Sequence, residues 1–550
     1  MSTTNAPAVA PRRRSDALWT RGIFPHRRCS TSQPRETPWE HGPDAIEPCM
    51  GATTCAQWIR SAISGLFAVV DAIPRALPWA GLLSGLRPSN AAFEIPAART
   101  LAILIAMTLP AFAGPKDPPS RPVERAVKER TGLAVRWQED AAAREAALAD
   151  VRGLLKKPLT VNRAVQIALL NNRDLLATFE DVGVSAADLR EAGMWKNPSF
   201  DLSVRFPDRP PSGSNWEEAV AFDLLDLLMI PLRKRVAADQ LAAVQLRVAD
   251  ETVRLVAEVK AAIYGLQGDG ALLAHRRTIA EIQNVAVDLS QRQHEAGNIT
   301  DLALAQQQAA YNAARLELAM AENDQREHRE KVNRLLSLWG GDTGWKIAGG
   351  LPPLPESDVP LRGLESLAVA QRLDLGAAHL ELAGVVRALG LTKSYRYIGA
   401  LEFGIDTERD TDRSNLTGPT LRLELPLFNQ GQARIAKGQA ELRRAERKLE
   451  SLAIGIRSEV RALHDKLAAL REAARFFENE VVPTRRAITA GMLLHYNGML
   501  VGNYELFLTR AEQIQAEHKA IETLRDYWVT RAELERAVGG NLRARKPAKQ

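Results

Sequence analysis

The stretch TGPTLRLELPLFNQGQARIAKGQ, Thr417 to Gln439, changes its period halfway along. In the first half Leu421, Leu423 and Leu425 fall on one side and Arg422 and Glu424 on the other, the period-2 pattern of a strand with one apolar face. Pro426 removes a ladder donor, and Asn429-Gln430-Gly431 supplies turn chemistry. Beyond it Leu442, Ala445, Leu449, Leu452, Ile456, Leu463, Leu467, Leu470, Ala474 and Phe477 recur at threes and fours with one gap. That is the seam of a very long helix.

The same junction occurs about two hundred residues upstream. In AVAFDLLDLLMIPLRKRVAADQ, Ala219 to Gln240, Val220, Phe222 and Leu224 share a strand face, and Leu241, Val244, Val248, Leu255, Val259, Ala262 and Leu266 form the following seam. An internal duplication is therefore expected. The first repeat spans 158–345, with strands near 199–206 and 217–227. In its opening strand Phe200, Leu202, Val204 and Phe206 alternate with Asp201, Ser203 and Arg205. The second repeat spans 361–540, with strands near 398–406 and 418–426; there Leu401, Phe403 and Ile405 alternate with Glu402, Gly404 and Asp406. One helix is expected from Val161, capped by Pro158-Leu159-Thr160, to Met194 and another from Leu361 to Ser394. Both long helices break at glycine, in Ala296-Gly297-Asn298 and Asn497-Gly498, and Pro483 interrupts the second. A Gly/Pro-rich linker, 346–360, joins the repeats. An N-terminal linker with amphipathic helix (114–157) precedes them, and a basic tail (541–550) follows.

At 550 residues the chain exceeds a single compact core. Aromatics are low at 5%, which favours closely packed long helices. The pI near 9.2 is concentrated at the front. Segment 1–113 holds 11 of the 72 Lys+Arg and 7 of the 66 Asp+Glu, leaving a balance of only +2. No basic stripe survives, so nucleic acid is excluded as a partner. Leu101 to Gly114, LAILIAMTLPAFAG, follows Arg99 and ends in Ala111-Phe112-Ala113, which matches a secretory signal (99–113). It is too short for a transmembrane helix. Segment 1–98 does not conform to the rest; a true start downstream of Met1 accounts for it, and an unusually long leader is the alternative. Cys29, Cys49 and Cys55 all lie there, so a processed chain has no disulfide or thiolate site. Gly114 stands where a lipid-carrying cysteine would.

Each repeat reads helix, strand, strand, long helix, return helix. Four strands with one apolar and one polar face suit an outer-membrane barrel. Four cannot close, and hydrocarbon does not tolerate open edges. Three chains would supply twelve strands and a tube of long helices.

The chain resembles the TolC-type outer membrane factor family over Val123 to Gly540. The resemblance rests on PLTVNRAVQIALLNNRDL (Pro158–Leu175), GMWKNPSFDL (Gly193–Leu202), HEAGNITDL (His294–Leu302), QRLDLGAAHLELA (Gln371–Ala383) and LELPLFNQGQARIAKGQAEL (Leu423–Leu442). LPLFNQGQ is most like the CzcC-like heavy-metal branch. Leu373 replaces the Pro of the family pattern, and LLMIPLRKR diverges from it. The resemblance implies a mainly α fold with a small β part: a homotrimer whose twelve-stranded barrel in outer-membrane lipid continues into a long periplasmic α-helical barrel. It implies a passive efflux duct docked by a periplasmic membrane-fusion adaptor and an inner-membrane pump of the RND type, carrying heavy-metal cations or drugs. The alternative is a soluble periplasmic coiled-coil scaffold or adaptor.

No phosphate loop, metal-spaced cluster or nucleophile motif occurs; no enzyme activity, catalytic residue or cofactor is expected. Gly297, Asn298, Ile299, Thr300, Gly498, Met499 and Leu500 are the adaptor-docking tip candidates, the glycines because a helix reversal needs positive φ. Asp301, Glu478 and Glu480 are candidates for an acidic constriction near the tip, against the plainer reading of solvated or capping charges. His294 and His495 sit at equivalent places but lack the partners a metal needs. Phe200, Leu202, Val204, Leu401, Phe403, Leu421, Leu423 and Leu425 are the lipid-facing candidates.

Overall fold

The computed structural model describes residues 118–210, 213–356, 363–540 and 542, all in one of the two units into which the chain divides, Ala113–Gln550. The leader 1–98, the signal 99–113, the cysteines, Gly114 and all of the basic tail but Leu542 lie outside the described residues.

The elements are helices α1 (Arg121–Thr131), α2 (Ala141–Leu155), α3 (Val161–Asn171) and α4 (Arg173–Glu191), strands β1 (Ser199–Arg205) and β2 (Asn215–Asp223), then α5 (Leu224–Glu295) and α6 (Asp301–Leu336). A 3-10 turn, Gly340–Gly344, leads to α7 (Leu364–Gln371), α8 (Leu373–Ser394), β3 (Leu401–Arg409), β4 (Asn415–Leu423), α9 (Gln432–Phe476), a π-helical turn (Phe477–Val481), α10 (Val482–Asn497) and α11 (Asn503–Ala537). Helix pair, strand pair, long helix and return helix follow one another in both halves. The fold is mainly helical with one small antiparallel sheet, order β1-β2-β3-β4.

The single helices expected from Val161 to Met194 and from Leu361 to Ser394 are each two. The first breaks at Asn172, which leaves helical geometry at ψ 116° and caps α4 by accepting from Leu175 N. The amides of Asn171 and Asn172 also donate to the carbonyls of Leu335, Leu336 and Ser337, closing the end of α6. These orphan carbonyls would otherwise be buried without partners. The second pair breaks at Arg372.

Strand limits differ from expectation too. β2 stops at Asp223 rather than continuing to 227, because Asp223 accepts from Asp226 N and so starts α5. Leu224 is thus helical. β3 and β4 lie three residues nearer their shared turn, which Asp410 closes by donating N–H to Ser414 O. Leu425 lies beyond β4. Pro483 interrupts the second long helix, as expected. With no N–H to offer the turn before it, it is preceded by the wider π-turn, and the helix continues as α10.

α5, at 72 residues, is about 108 Å long at 1.5 Å per residue. Next to the sheet it packs between α4 and α8, and α8 in turn packs on α9. Toward the tips it packs between α6 and α11, with α9 and α10 beyond. Two apolar cores lie midway, one joining α1–α4 to α5 through Val123, Ile167, Phe179, Val259 and Ile263, the other joining α7, α9 and α11 through Leu364, Ile456, Leu467, Tyr527 and Leu534.

A strap between the halves crosses the helices at this level. Trp345 is buried under the Arg329 guanidinium, 4.1 Å from ring centroid, and donates to Asn333 Oδ1. Downstream, Gln267 donates to Ala348 O, Trp528 to Pro352 O, Arg471 to the carbonyls of Pro355 and Glu356, and Arg475 to Glu356 O. Thus α5, α6, α9 and α11 all hold one segment.

Candidate functional sites: a sheet face and two hairpin tips

Cross-strand partners share a face, so the register sorts the side chains. Phe200 pairs with Val220, Val220 with Ile405 and Ile405 with Pro419; Phe222 pairs with Phe403, Phe403 with Leu421, and Leu401 with Leu423. Leu202, Val204 and Trp216 fall on that same side. Phe200, Leu202, Phe403, Leu421 and Leu423 are all exposed, Leu421 to 67%. The opposite face carries Asp201, Glu217, Glu402, Asp406 and Glu408 against Arg205 and Arg422. Arg205 pairs with Glu217 at 3.2 Å and Arg422 with Glu402 at 3.3 Å. β1 and β4 each have one unpaired edge. The sheet therefore presents a mainly apolar surface, interrupted by Glu218 and Arg409 toward its turns, a polar one and two open edges. Of the eight lipid-facing candidates it gathers seven on one face and leaves Leu425 off the strand.

The two hairpin tips are built alike but offset by one residue from the sequence pairing. In the first, Gly297 takes φ +74°, Gly297 N–H donates to His294 O and Asn298 N–H to Gln293 O. That pair of bonds is a Schellman cap. In the second, the same bonds run from Met499 to Tyr496 O and from Leu500 to His495 O, and Met499 takes φ +56°. Gly498 sits at φ −80°. The expectation that Gly498 supplies the left-handed turn is therefore wrong; the reversal falls on the next residue. Thr300 then caps α6 by accepting from Ala303 N, while Gly502 holds the equivalent place before α11 without a side-chain cap. His294 Nε2 lies 2.6 Å from Asp301 Oδ1, tying the first turn across its mouth. The second tip instead exposes Leu493, Leu494, Met499, Leu500 and Tyr504, Met499 to 94%.

The acidic trio does not converge in the chain. Asp301 is at the tip, but Glu478 and Glu480 lie in the π-turn, roughly 30 Å back along the helix. Glu478 lines a cavity of about 360 Å³ with His275, Arg486 and Glu517. Among the described residues no three His, Cys, Asp or Glu side chains gather as a metal site, and no helix is long and apolar enough to cross a membrane.

Two ionic clusters went unread in the sequence. Arg372 grips Asp374 through two bonds of 3.0 and 2.7 Å and Glu459 through one of 2.6 Å, and Arg536 completes the group on Glu459. Beside them burial and the Asp374 charge raise Asp250 to about 6, against the pull of Arg372 and Arg536. Farther along α5, Asp269 meets His328 at 2.5 Å. Burial raises its pKa, opposed by the His328 hydrogen bond. No local motif marks either cluster, because their members are up to 286 residues apart.

No protein-family model and no curated protein matches the chain. Solved structures do. The CmeC outer membrane channel of Campylobacter jejuni superimposes with a TM-score of 0.61 at 16% identity, covering 69% of this chain and 85% of its own. A membrane protein from Pseudomonas aeruginosa gives 0.59 at 19% identity, covering 69% and 92%. CusC, described for its folding and transmembrane channel formation, gives 0.58 at 17% identity, also covering 69% and 92%. Over about two thirds of its length, the chain has the fold that these membrane proteins share.

Proposed function

We propose that the chain is one third of an outer-membrane efflux duct of the TolC type. The observation that carries this reading is the sheet: one exposed, mainly apolar face, one charged face and two unpaired edges, in a fold shared with solved outer membrane channels. Exposed apolar strands are unstable in water, and open edges are unstable in lipid. Three copies pairing β4 with the next β1 remove both problems, since the four strands alternate in direction and the new pair is again antiparallel. Such a barrel has twelve strands, with the acidic face lining the lumen.

On this reading the long helices reach into the periplasm, where the two tips receive a membrane-fusion adaptor that links the duct to an inner-membrane pump, of the RND type. The chain acts as a passive conduit for heavy-metal cations or drugs, and the pump supplies the energy. Opening needs only seams that slide between two packings. The CzcC-like sub-branch rests on the LPLFNQGQ motif alone. Fractionation with chemical cross-linking tests the proposal. A detergent-resistant trimer in the outer membrane is expected; a soluble periplasmic monomer would establish the coiled-coil scaffold instead.

A further inference from the structure

We propose that the foot of the sheet binds anionic phospholipid, a phosphodiester carrying acyl chains, with Arg396 and Arg434 as the headgroup ligands. The inference rests on the duct reading above and adds a ligand to it. Its first support is a reversal of charge. The strands and their turns (199–223 and 401–423) hold five Lys/Arg against ten Asp/Glu, whereas the segments entering and leaving their foot (188–198, 224–237, 388–400 and 424–437) hold nine against four. Lys234, Arg235, Lys393 and Arg434 are exposed in that band. A basic collar bordering an apolar surface is the pattern that anionic headgroups attract, at roughly 1 kcal/mol per Lys/Arg.

The second support is a built recess within the collar. A cavity of about 750 Å³ opens where β2 and β4 give way to helix, and both arginines line it; that size lies in the range of ligand pockets. Gly431, at φ +74°, lies between them: a Cβ built there would be in van der Waals contact with both, 3.6 Å from Arg396 Cβ and 3.7 Å from Arg434 Nη2.

The carboxylates around the cavity are already engaged. Asp226 is held by Arg233 through two bonds, Asp223 by Lys196 at 3.3 Å, and Glu424 accepts from Ala400 N. Arg434 has no ion pair among the described residues, and Arg396 stacks on Tyr397, 4.2 Å from its ring centroid. Two arginines thus face one carboxylate, Glu424, that no cation pairs among the described residues, and the net charge is positive. Leu425, Leu427 and Phe428 line the same cavity and are exposed, Phe428 to 94%. A free phosphate has no use for them; acyl chains do. Charge above and hydrocarbon beside it select an amphipathic anion.

The test uses the full chain purified in mild detergent, with bound lipid counted by native mass spectrometry after addition of phosphatidylglycerol or phosphatidylcholine. Wild type should retain phosphatidylglycerol preferentially. R396Q/R434Q should weaken that preference about thirtyfold, two arginines at roughly 1 kcal/mol each, while R443Q/R457Q, farther down α9, keeps it. Unchanged phosphatidylcholine retention and helical circular dichroism identify a folded variant. Equal retention of phosphatidylglycerol by wild type and R396Q/R434Q overturns the site, as does displacement of the lipid by millimolar inorganic phosphate. Fractionation of the same proteins separates the two claims. A chain that never enters the membrane sinks the duct reading, whereas normal insertion without lipid preference sinks the collar alone.

Discussion

Met499 occupies in the second hairpin the position that Gly297 holds in the first. Both are left-handed, at φ +56° and +74°, and both close the same pair of capping bonds. A methionine there carries a Cβ against the following carbonyl, at a cost of about 1 kcal/mol. Met499→Gly should therefore raise the thermal stability of the purified protein slightly. Gly297→Ala should lower it by about 1 kcal/mol. Gly498→Ala should fall within about 0.5 kcal/mol of wild type, since a Cβ there meets nothing nearer than 3.5 Å. A large loss from Gly498→Ala would contradict the observed cap.

If the tips dock an adaptor, the apolar second tip provides most of the surface, because Met499 and Leu500 lie open. M499D/L500D should abolish export while trimer yield stays normal, the sheet being at the other end of α5. Efflux and trimer yield are measured on the same cells. Undiminished export would remove the second tip from the docking surface.

The strand faces make opposite demands. Leu423→Arg places a charge on the apolar face, at about 2–4 kcal/mol near a bilayer midplane, and should sharply reduce membrane assembly. Arg422→Leu, on the charged face opposite Glu402, should assemble nearly normally. Quantifying trimer in outer-membrane fractions decides it; equal tolerance of both changes argues against a barrel.

Asp250 yields a pH dependence whose sign is fixed. Its pKa stands near 6 in the folded chain against an ordinary 3.8. The group favours the folded state fully below about 3.8, and that contribution is lost as pH rises through about 6. Asp250→Asn imitates the protonated form. It should stabilise the protein at pH 8 by up to about 3 kcal/mol, and the gain should shrink toward pH 4. Melting curves across that range check it. A gain that grew on acidification would reverse the assignment.

How much of this was legible in the sequence varies by element. The apolar alternation of Leu421 and Leu423 shows in the letters because every second residue is an aliphatic. The outer ends of the same strands do not show, since Thr407, Arg409, Asn415 and Thr417 pair across the sheet without apolar alternation. The run Leu224–Ile230 suits strand or helix equally by periodicity, and Asp223 resolves it through a single capping bond. At the tips the motif HEAGNITDL located the first turn correctly. Aligning glycine with glycine misplaced the second by one residue, because a Schellman cap is defined by backbone bonds and tolerates methionine.

The strap between the halves is gripped beyond Trp345 largely through its carbonyl oxygens: Ala348 accepts from a side chain of α5, Pro352 from one of α11, and Pro355 and Glu356 from two arginines of α9. Carbonyls are common to all residues, so these bonds do not read which side chains the strap carries. They read where along it each oxygen falls. The segment works as a tape measure. Apart from Ile347 and Leu354, which pack against the two cores, its side chains carry little of the grip, whereas one residue added or removed between Ala348 and Glu356 moves the remaining marks past their donors together.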